Sequence, residues 1–199
     1  MSPAESSRSS YHHGALRSAL IDAAIALAEQ GGPERVVLRE VARAAGVSHS
    51  AAYRHFADRE ALLAEVSRHA RAELAAEMRR RIGRTDDPRV RLHAVGTSYI
   101  DFALTRTGLF RSAFGAHSTA GEPDDDPHLV LGQVLDEAVA AGLLAPPLRP
   151  GAEIAAWSAV HGLADLLLDG SLPASPAEID FAVSQVLGLV NRGLLDGEG

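Results

Sequence analysis

The apolar residues of this chain recur at a helical period between breaks rich in glycine and proline, and almost nowhere alternate as strands do. Leu16, Leu20, Ala23 and Leu27 stand at i, i+4, i+7 and i+11, one stripe of an amphipathic helix. Gly31-Gly32-Pro33 ends that helix, because glycine suits a left-handed cap and proline cannot continue the run. Runs of Val, Ile, Thr and Tyr that would favour strands are nearly absent. An all-α fold is expected.

The same punctuation places the remaining elements. A polar tail over residues 1–10 precedes a first helix that reads as helical from Gly14. A short helix is expected at about 38–45, closed by Gly46, and Ser48 reads as the N-cap of another at about 49–56. Asp58 caps a fourth that runs to about Ile82, with Leu62, Leu63, Val66 and Leu74 facing inward. Helices at about 89–106 and 108–115 meet at Gly108. A loop is expected over 117–127, where Gly121, Pro123 and Asp124-Asp125-Asp126 cluster. Helices at about 128–142, 151–169 and 176–193 complete the chain.

Composition removes whole classes of chemistry. There is no cysteine, so disulfides, thiolate catalysis and cysteine-based zinc sites are excluded. Residues 1–15 are rich in Ser and His with no apolar core, and no stretch approaches the ~18 apolar residues a membrane helix needs. A soluble, cytoplasmic protein with no membrane partner is the expectation. All 19 basic residues are arginine, which a GC-rich coding bias explains most simply. The net charge of −7 divides unevenly, about +2 over residues 1–81 and about −9 over 82–199. A basic first part that faces an anion, followed by an acidic remainder, fits that split.

The most informative stretch is Leu38 to Phe56. A helix-turn-helix needs a small residue in its first helix so that the second can cross closely, and Ala42 is placed for that. It needs a residue that tolerates positive φ four positions later, where Gly46 stands, and then an apolar anchor, which is Val47. Val41, Ala45, Ala52 and Phe56 then face a shared core. Ser48, His49, Ser50, Ala51, Tyr53, Arg54 and His55 lie near the open face of the second helix. Hydroxyls, phenol, guanidinium and imidazole are donors suited to phosphates and base edges, and a helix N-terminus adds backbone N–H groups. A plain helical hairpin within a bundle is the other reading of the same residues.

Here the sequence resembles a known family. Tyr11-His12-His13-Gly14-Ala15-Leu16-Arg17, Leu38-Arg39-Glu40-Val41-Ala42, Ala44-Ala45-Gly46-Val47-Ser48, Tyr53-Arg54-His55-Phe56 and Arg59-Glu60-Ala61-Leu62 are similar in order and spacing to TetR regulators. Trp157, His161 and Gly162 resemble the Trp, His-Gly motif of one TetR subgroup, as does the segment from Phe102 to Phe114. The resemblance implies a helix-turn-helix DNA-binding domain at 11–57, a connecting helix at 58–82 and a ligand-binding and dimerisation domain at 83–199. It further implies that Ser48, Ser50, Ala51 and Tyr53 face operator DNA. His55 and Arg59 would touch the phosphate backbone, with Arg17 and Arg39 as further phosphate contacts. The sequence departs from the family in three places. Val37 replaces the usual Ser or Thr N-cap, Arg59 replaces a common Lys, and Ala52 replaces a bulkier residue.

The resemblance implies a homodimer through the helices at 151–169 and 176–193, whose apolar positions cover wide faces, and a palindromic operator follows from that symmetry. Repression relieved by an unidentified small molecule is likewise the family's implication. Tyr99, Phe102, Phe110, Phe114, Trp157 and His161 either line an inducer cavity or form plain core. His161 and Asp165, one turn apart, would suggest a base with its orienter in an enzyme, or a metal site. They lack a nucleophile, a phosphate loop and a third ligand at sensible spacing, so a structural or ligand-pocket role is preferred, with no cofactor. A helical module that docks protein is the other alternative. Asp124 to Asp126 read as a solvated loop rather than a cation site. An N-terminal arm bearing Arg8, His12 and His13 either enters a minor groove or stays solvated.

Overall fold

The computed structural model describes residues 3–114, 126–172 and 175–195, with side chains from Ala15 onward. Among these residues the long regular elements are all α-helices. They are α1 (Pro3–Gly31), α2 (Leu38–Ala44), α3 (His49–Tyr53), α4 (Arg59–Ile82), α5 (Pro88–Thr105), α6 (Thr107–Ala113), α7 (Pro127–Ala140), α8 (Ala152–Leu168) and α9 (Pro176–Leu195). Short 3-10 turns at Pro33–Arg35 and Pro146–Leu148 fill two connections. The expected loop at 117–127 lies outside the described residues except for its end, and so do the side chains of Arg8, His12 and His13. The helix expected from Gly14 instead begins at Pro3. Proline is tolerated in a first helical turn, where its missing N–H costs nothing.

The chain forms two compact units. Unit one comprises residues up to Ala70 and Gly108–Thr119; unit two comprises Arg71–Thr107 and the chain from Ala120. The division runs through the middle of α4 and through the start of α6. It therefore differs from the expected boundaries at 57 and 82, which followed helix ends.

Unit one is organised by α1. Leu20, Ala24, Leu27 and Ala28 are its buried positions, a stripe turned slightly from the one expected because Ala24 is buried where Ala23 is only partly so. Leu62, Leu63, Val66 and Ala70 of α4 are fully buried, with Asp58 Oδ1 accepting Ala61 N–H at 2.8 Å as its cap. α6 docks on the end of α1 through Gly108. A Cβ there would stand 2.1 Å from the Ala28 carbonyl oxygen, so only glycine allows the approach. Ser67 Oγ, buried on α4, donates to the Ala113 carbonyl at 2.9 Å and fixes the other end of α6.

Unit two gathers α5, α7, α8, α9 and the second half of α4. Its start signals are local. Asp87 and Asp126 each accept an N–H two residues on, at 2.9 Å, with proline at the first helical position of α5 and α7. Ser175 opens α9, accepted by the Glu178 carboxylate through both its N–H and its hydroxyl. Tyr99, Ile100, Leu135 and Leu144 are fully buried. Gly96 admits Leu187 of α9 against α5, since a Cβ would come within 2.3 Å of that leucine. No described helix is long and apolar enough to cross a membrane.

Candidate nucleic-acid interface

In unit one α2 and α3 form a hairpin whose geometry follows from one residue. Gly46 has φ +69°, Val47 N–H reaches the Ala42 carbonyl at 2.9 Å, and Gly46 N–H reaches Arg43 O at 3.2 Å. These two bonds are a Schellman cap with glycine at its left-handed position. They turn the chain from α2 into α3. Ser48 Oγ then caps α3 by accepting Ala51 N–H at 3.3 Å and lies 3.1 Å from Ser50 Oγ. Val41, Ala52 and Phe56 are buried beneath, as expected, together with Ala42, whereas Ala45, expected with them, is only partly buried.

What remains outside is polar. Ser48, His49, Ser50, Tyr53 and Arg54 are exposed, and His55 is partly so. Tyr53 is 48% accessible and held edge-on by His49, with ring centroids 4.7 Å apart. Arg39 on α2 projects into solvent with only a loose 3.7 Å approach to Glu40. Arg43 binds that same Glu40 at 2.9 Å, and its hydrogen bond and charge hold the carboxyl below the usual range. That pair is neutral and leaves Arg39 as the net positive charge of α2.

Three expected contact residues are placed differently. Ala51 is only 7% accessible, because a helix of five residues this close to α2 turns both Ala51 and Ala52 inward. Arg17 does not project freely: it pairs with Glu65 on α4 and stands over the Phe56 ring at 5.2 Å. Arg59 Nε donates to the Val36 carbonyl at 2.9 Å, its Nη2 to Pro33 O at 2.6 Å, and its Nη1 to Glu60 at 3.2 Å. Both arginines tie helices together, through partners too distant in sequence for any local pattern to show.

The six expected ligand residues also separate. In unit two Tyr99 and Trp157 line a small apolar cavity of about 20 Å³ with Met78, Val95, Val160 and Leu187. Trp157 meets Tyr99 edge to face at 5.0 Å and stacks on His128 at 3.7 Å, a partner that no spacing in the sequence announced. The Asp165 carboxylate, 3.5 Å from His161 Nε2, favours the ring proton there, so Nδ1 accepts from the Tyr99 hydroxyl at 2.6 Å. Burial, reinforced by Asp165, pushes that hydroxyl far above its ordinary pKa, and it stays protonated. Phe102 instead lines a separate cleft of about 490 Å³ with the charged residues Glu73, Glu77, Arg80, Arg81, Asp101 and Arg106. Phe110 and Phe114 belong to unit one and pair edge to face there at 5.6 Å. Asp126, expected in a solvated acidic loop, caps α7 and binds Arg71 at 2.8 Å; Asp124 and Asp125 lie outside the described residues.

A glycine-capped helical hairpin with a polar outer ridge, carried by a chain that continues into a second helical unit, defines a helix-turn-helix protein with an appended helical domain. A family model for bacterial regulatory proteins of the tetR family matches residues 20–66, and one for the tetracyclin repressor-like C-terminal domain matches residues 92–189. The chain is 38% identical over 79 residues to the HTH-type transcriptional regulator BetI of Brucella anthropi, covering 40% of this chain and 41% of that one. It thus spans about two fifths of the length of that curated relative. A solved protein of unknown function from Rhodococcus sp. RHA1 shares the fold at TM-score 0.75 and 31% identity over 93% of this chain and 98% of that one. The transcriptional regulator FadR from Bacillus subtilis, solved in complex with stearoyl-CoA, shares it at TM-score 0.67 and 15% identity over 89% and 98%. The chain belongs to the TetR family of transcriptional regulators. Members of that family are regulators rather than enzymes. The subgroup suggested by Trp157, His161 and Gly162 rests on those residues alone.

Proposed function

We propose that this protein is a homodimeric regulator that binds operator DNA through the α2–α3 hairpin and releases it when a small molecule binds unit two. The observation that carries the reading is the exposed ridge of Ser48, His49, Ser50, Tyr53 and Arg54, held outward by the Gly46 cap. With Arg39 beside it and His55 at its edge, this ridge offers donors to base edges and phosphates. Ala51, Arg17 and Arg59 are not part of the contact set.

Dimerisation is supported by α8 and α9. Ile154, Leu166, Phe181 and Leu189 are exposed, and a groove of about 640 Å³ runs between the two helices, lined by Ala159, Leu163, Ala182 and Val186. Only Leu187 and Leu195 of α9 are buried within the chain. An apolar face of this kind calls for a partner, and a second copy supplies one by two-fold symmetry. Two ridges related in this way address half-sites about 34–36 Å apart, or a related spacing, on a palindrome.

The effector site is proposed at the Tyr99, Trp157 and His161 cluster. The cavity there holds about one water, whereas ligand pockets run to roughly 300–1,000 Å³, so an effector has to displace Leu187 or Trp157. The stearoyl-CoA bound by the Bacillus subtilis FadR supports a small-molecule site in this fold and says nothing of which molecule this chain takes. The effector shifts the DNA-binding equilibrium only by its difference in affinity for the two states. Binding to duplex fragments from upstream of the protein's own gene, followed by fluorescence anisotropy as salt is raised, tests the reading. Affinity should fall steeply with salt, by about 0.9 log units per log unit for each phosphate contacted. No binding at low salt would refute it.

A further inference from the structure

We infer that Arg59 is a positioning residue for the α2–α3 hairpin, which pins from α4 the connection that leads into α2. The inference rests on the DNA-binding reading, and one arm of its test does not. α2 is seven residues long, and its N-cap Val37, in extended conformation, makes no side-chain hydrogen bond. A helix that short depends on its caps and its packing, because nucleation is costly and each uncapped end leaves N–H groups unsatisfied. The connection leading into it, Pro33 to Val36, is a single 3-10 turn closed by Val36 N–H to Pro33 O at 3.1 Å. Val36 is fully buried, so its carbonyl needs an internal partner.

Arg59 provides that partner. It stands at the first residue of α4, and its planar guanidinium spans both carbonyls at once, Val36 O from Nε and Pro33 O from Nη2. Such a fork fixes two points of the connection and therefore the entry direction of α2. Through the Gly46 cap, the direction of α2 sets that of α3 and its ridge. Glu60 on the third nitrogen keeps the guanidinium turned toward the connection rather than toward a duplex. Lysine at this position would bring the same charge to the surface but reach only one carbonyl.

Arg59→Ala and Arg59→Lys separate positioning from phosphate contact. Each is titrated by anisotropy against a mixed-sequence duplex from about 50 to 200 mM salt. Positioning predicts that Ala and Lys weaken binding alike, about tenfold at every salt concentration, with the salt slope of the parent. A phosphate contact predicts instead that Arg59→Ala lowers the slope by about 0.9 and that Arg59→Lys restores both slope and affinity; that result, or unchanged binding in both variants, overturns the inference. Amide exchange needs no DNA: Arg59→Lys should expose residues 36–41 to faster exchange while the rest of α4 keeps its protection. Unchanged exchange there overturns the inference. A parent that binds no duplex refutes the DNA-binding reading and leaves the exchange result to decide the role of Arg59.

Discussion

The α2–α3 hairpin of unit one and the α8–α9 pair of unit two dispose of their side chains in opposite ways. The hairpin keeps Val41, Ala42, Ala52 and Phe56 inside and shows solvent a ridge of hydroxyls, imidazole, phenol and guanidinium. The pair shows solvent Ile154 at 73%, Phe181 at 65% and Leu189 at 64% accessibility. Both are helical hairpins, and secondary structure alone would not separate them. The ridge is chemically complete in water and needs a charged, hydrogen-bonding partner to do anything. The apolar face is costly in water and needs a partner of its own kind. One fold thus carries a polar ridge that suits the proposed DNA contact and an apolar face that suits the proposed contact with a second copy.

The sharpest way to break that contrast is to make the second surface like the first. Phe181→Asp with Leu189→Asp should raise the dimer dissociation constant by at least about a hundredfold, roughly 3 kcal/mol, since a dimer would then bury unpaired charge. Sedimentation velocity reads the result, and a double variant that remains dimeric at the parent's concentration range would show that the apolar face is not the interface. Next in size is Gly108→Ala, whose Cβ would collide with the Ala28 carbonyl at 2.1 Å. It should cost about 2 kcal/mol in denaturant unfolding, with the loss confined to unit one in amide exchange.

Tyr53→Ala removes an exposed ring from the ridge without touching the core. Duplex affinity should drop by about five- to tenfold, the size of one lost base or phosphate contact, while the thermal midpoint stays within about a degree of the parent. Loss of the thermal midpoint instead would mean that Tyr53 is structural. The smallest effect belongs to unit two. Burial against Trp157 holds the His128 imidazole below its ordinary pKa; Arg71 also opposes its charge, and Asp126 and Glu153 favour it. Its neutral form therefore contributes stability that is fully present above the unfolded imidazole value of about 6.5 and is lost as pH falls through the folded value. His128→Gln should flatten that acid-side slope in unfolding titrations, and an unchanged slope would remove His128 from the balance.

Much of this was legible in the sequence wherever the signal is local. Gly46 followed by Val47, Ser48 and Asp58 each encode a cap through bonds to residues within five positions, and each lies where its chemistry requires. The apolar positions of α8 and α9 were legible as wide faces, but not which of them stay exposed: Leu163, Leu167 and Leu187 are buried within the chain, whereas Ile154 and Phe181 are not. The residues that stand otherwise than expected have a common physical origin. Arg17 and Arg59 look like surface cations because their partners, Glu65 and the carbonyls of Pro33 and Val36, are brought near only by tertiary packing. Ala51 lies in a helix too short for its period to fix a phase. Gly108 reads as a simple break between helices, whereas its missing side chain is what lets α6 join α1. That docking places Phe110 and Phe114 in unit one.

The most direct measurement is amide hydrogen exchange of the full chain with and without a saturating duplex from its own upstream region. The greatest gain in protection should fall on residues 46–56, with a lesser gain at 38–41 and none on the exposed faces of α8 and α9. Protection that appears elsewhere and leaves 46–56 unchanged would contradict the assignment of the ridge as the DNA-reading surface.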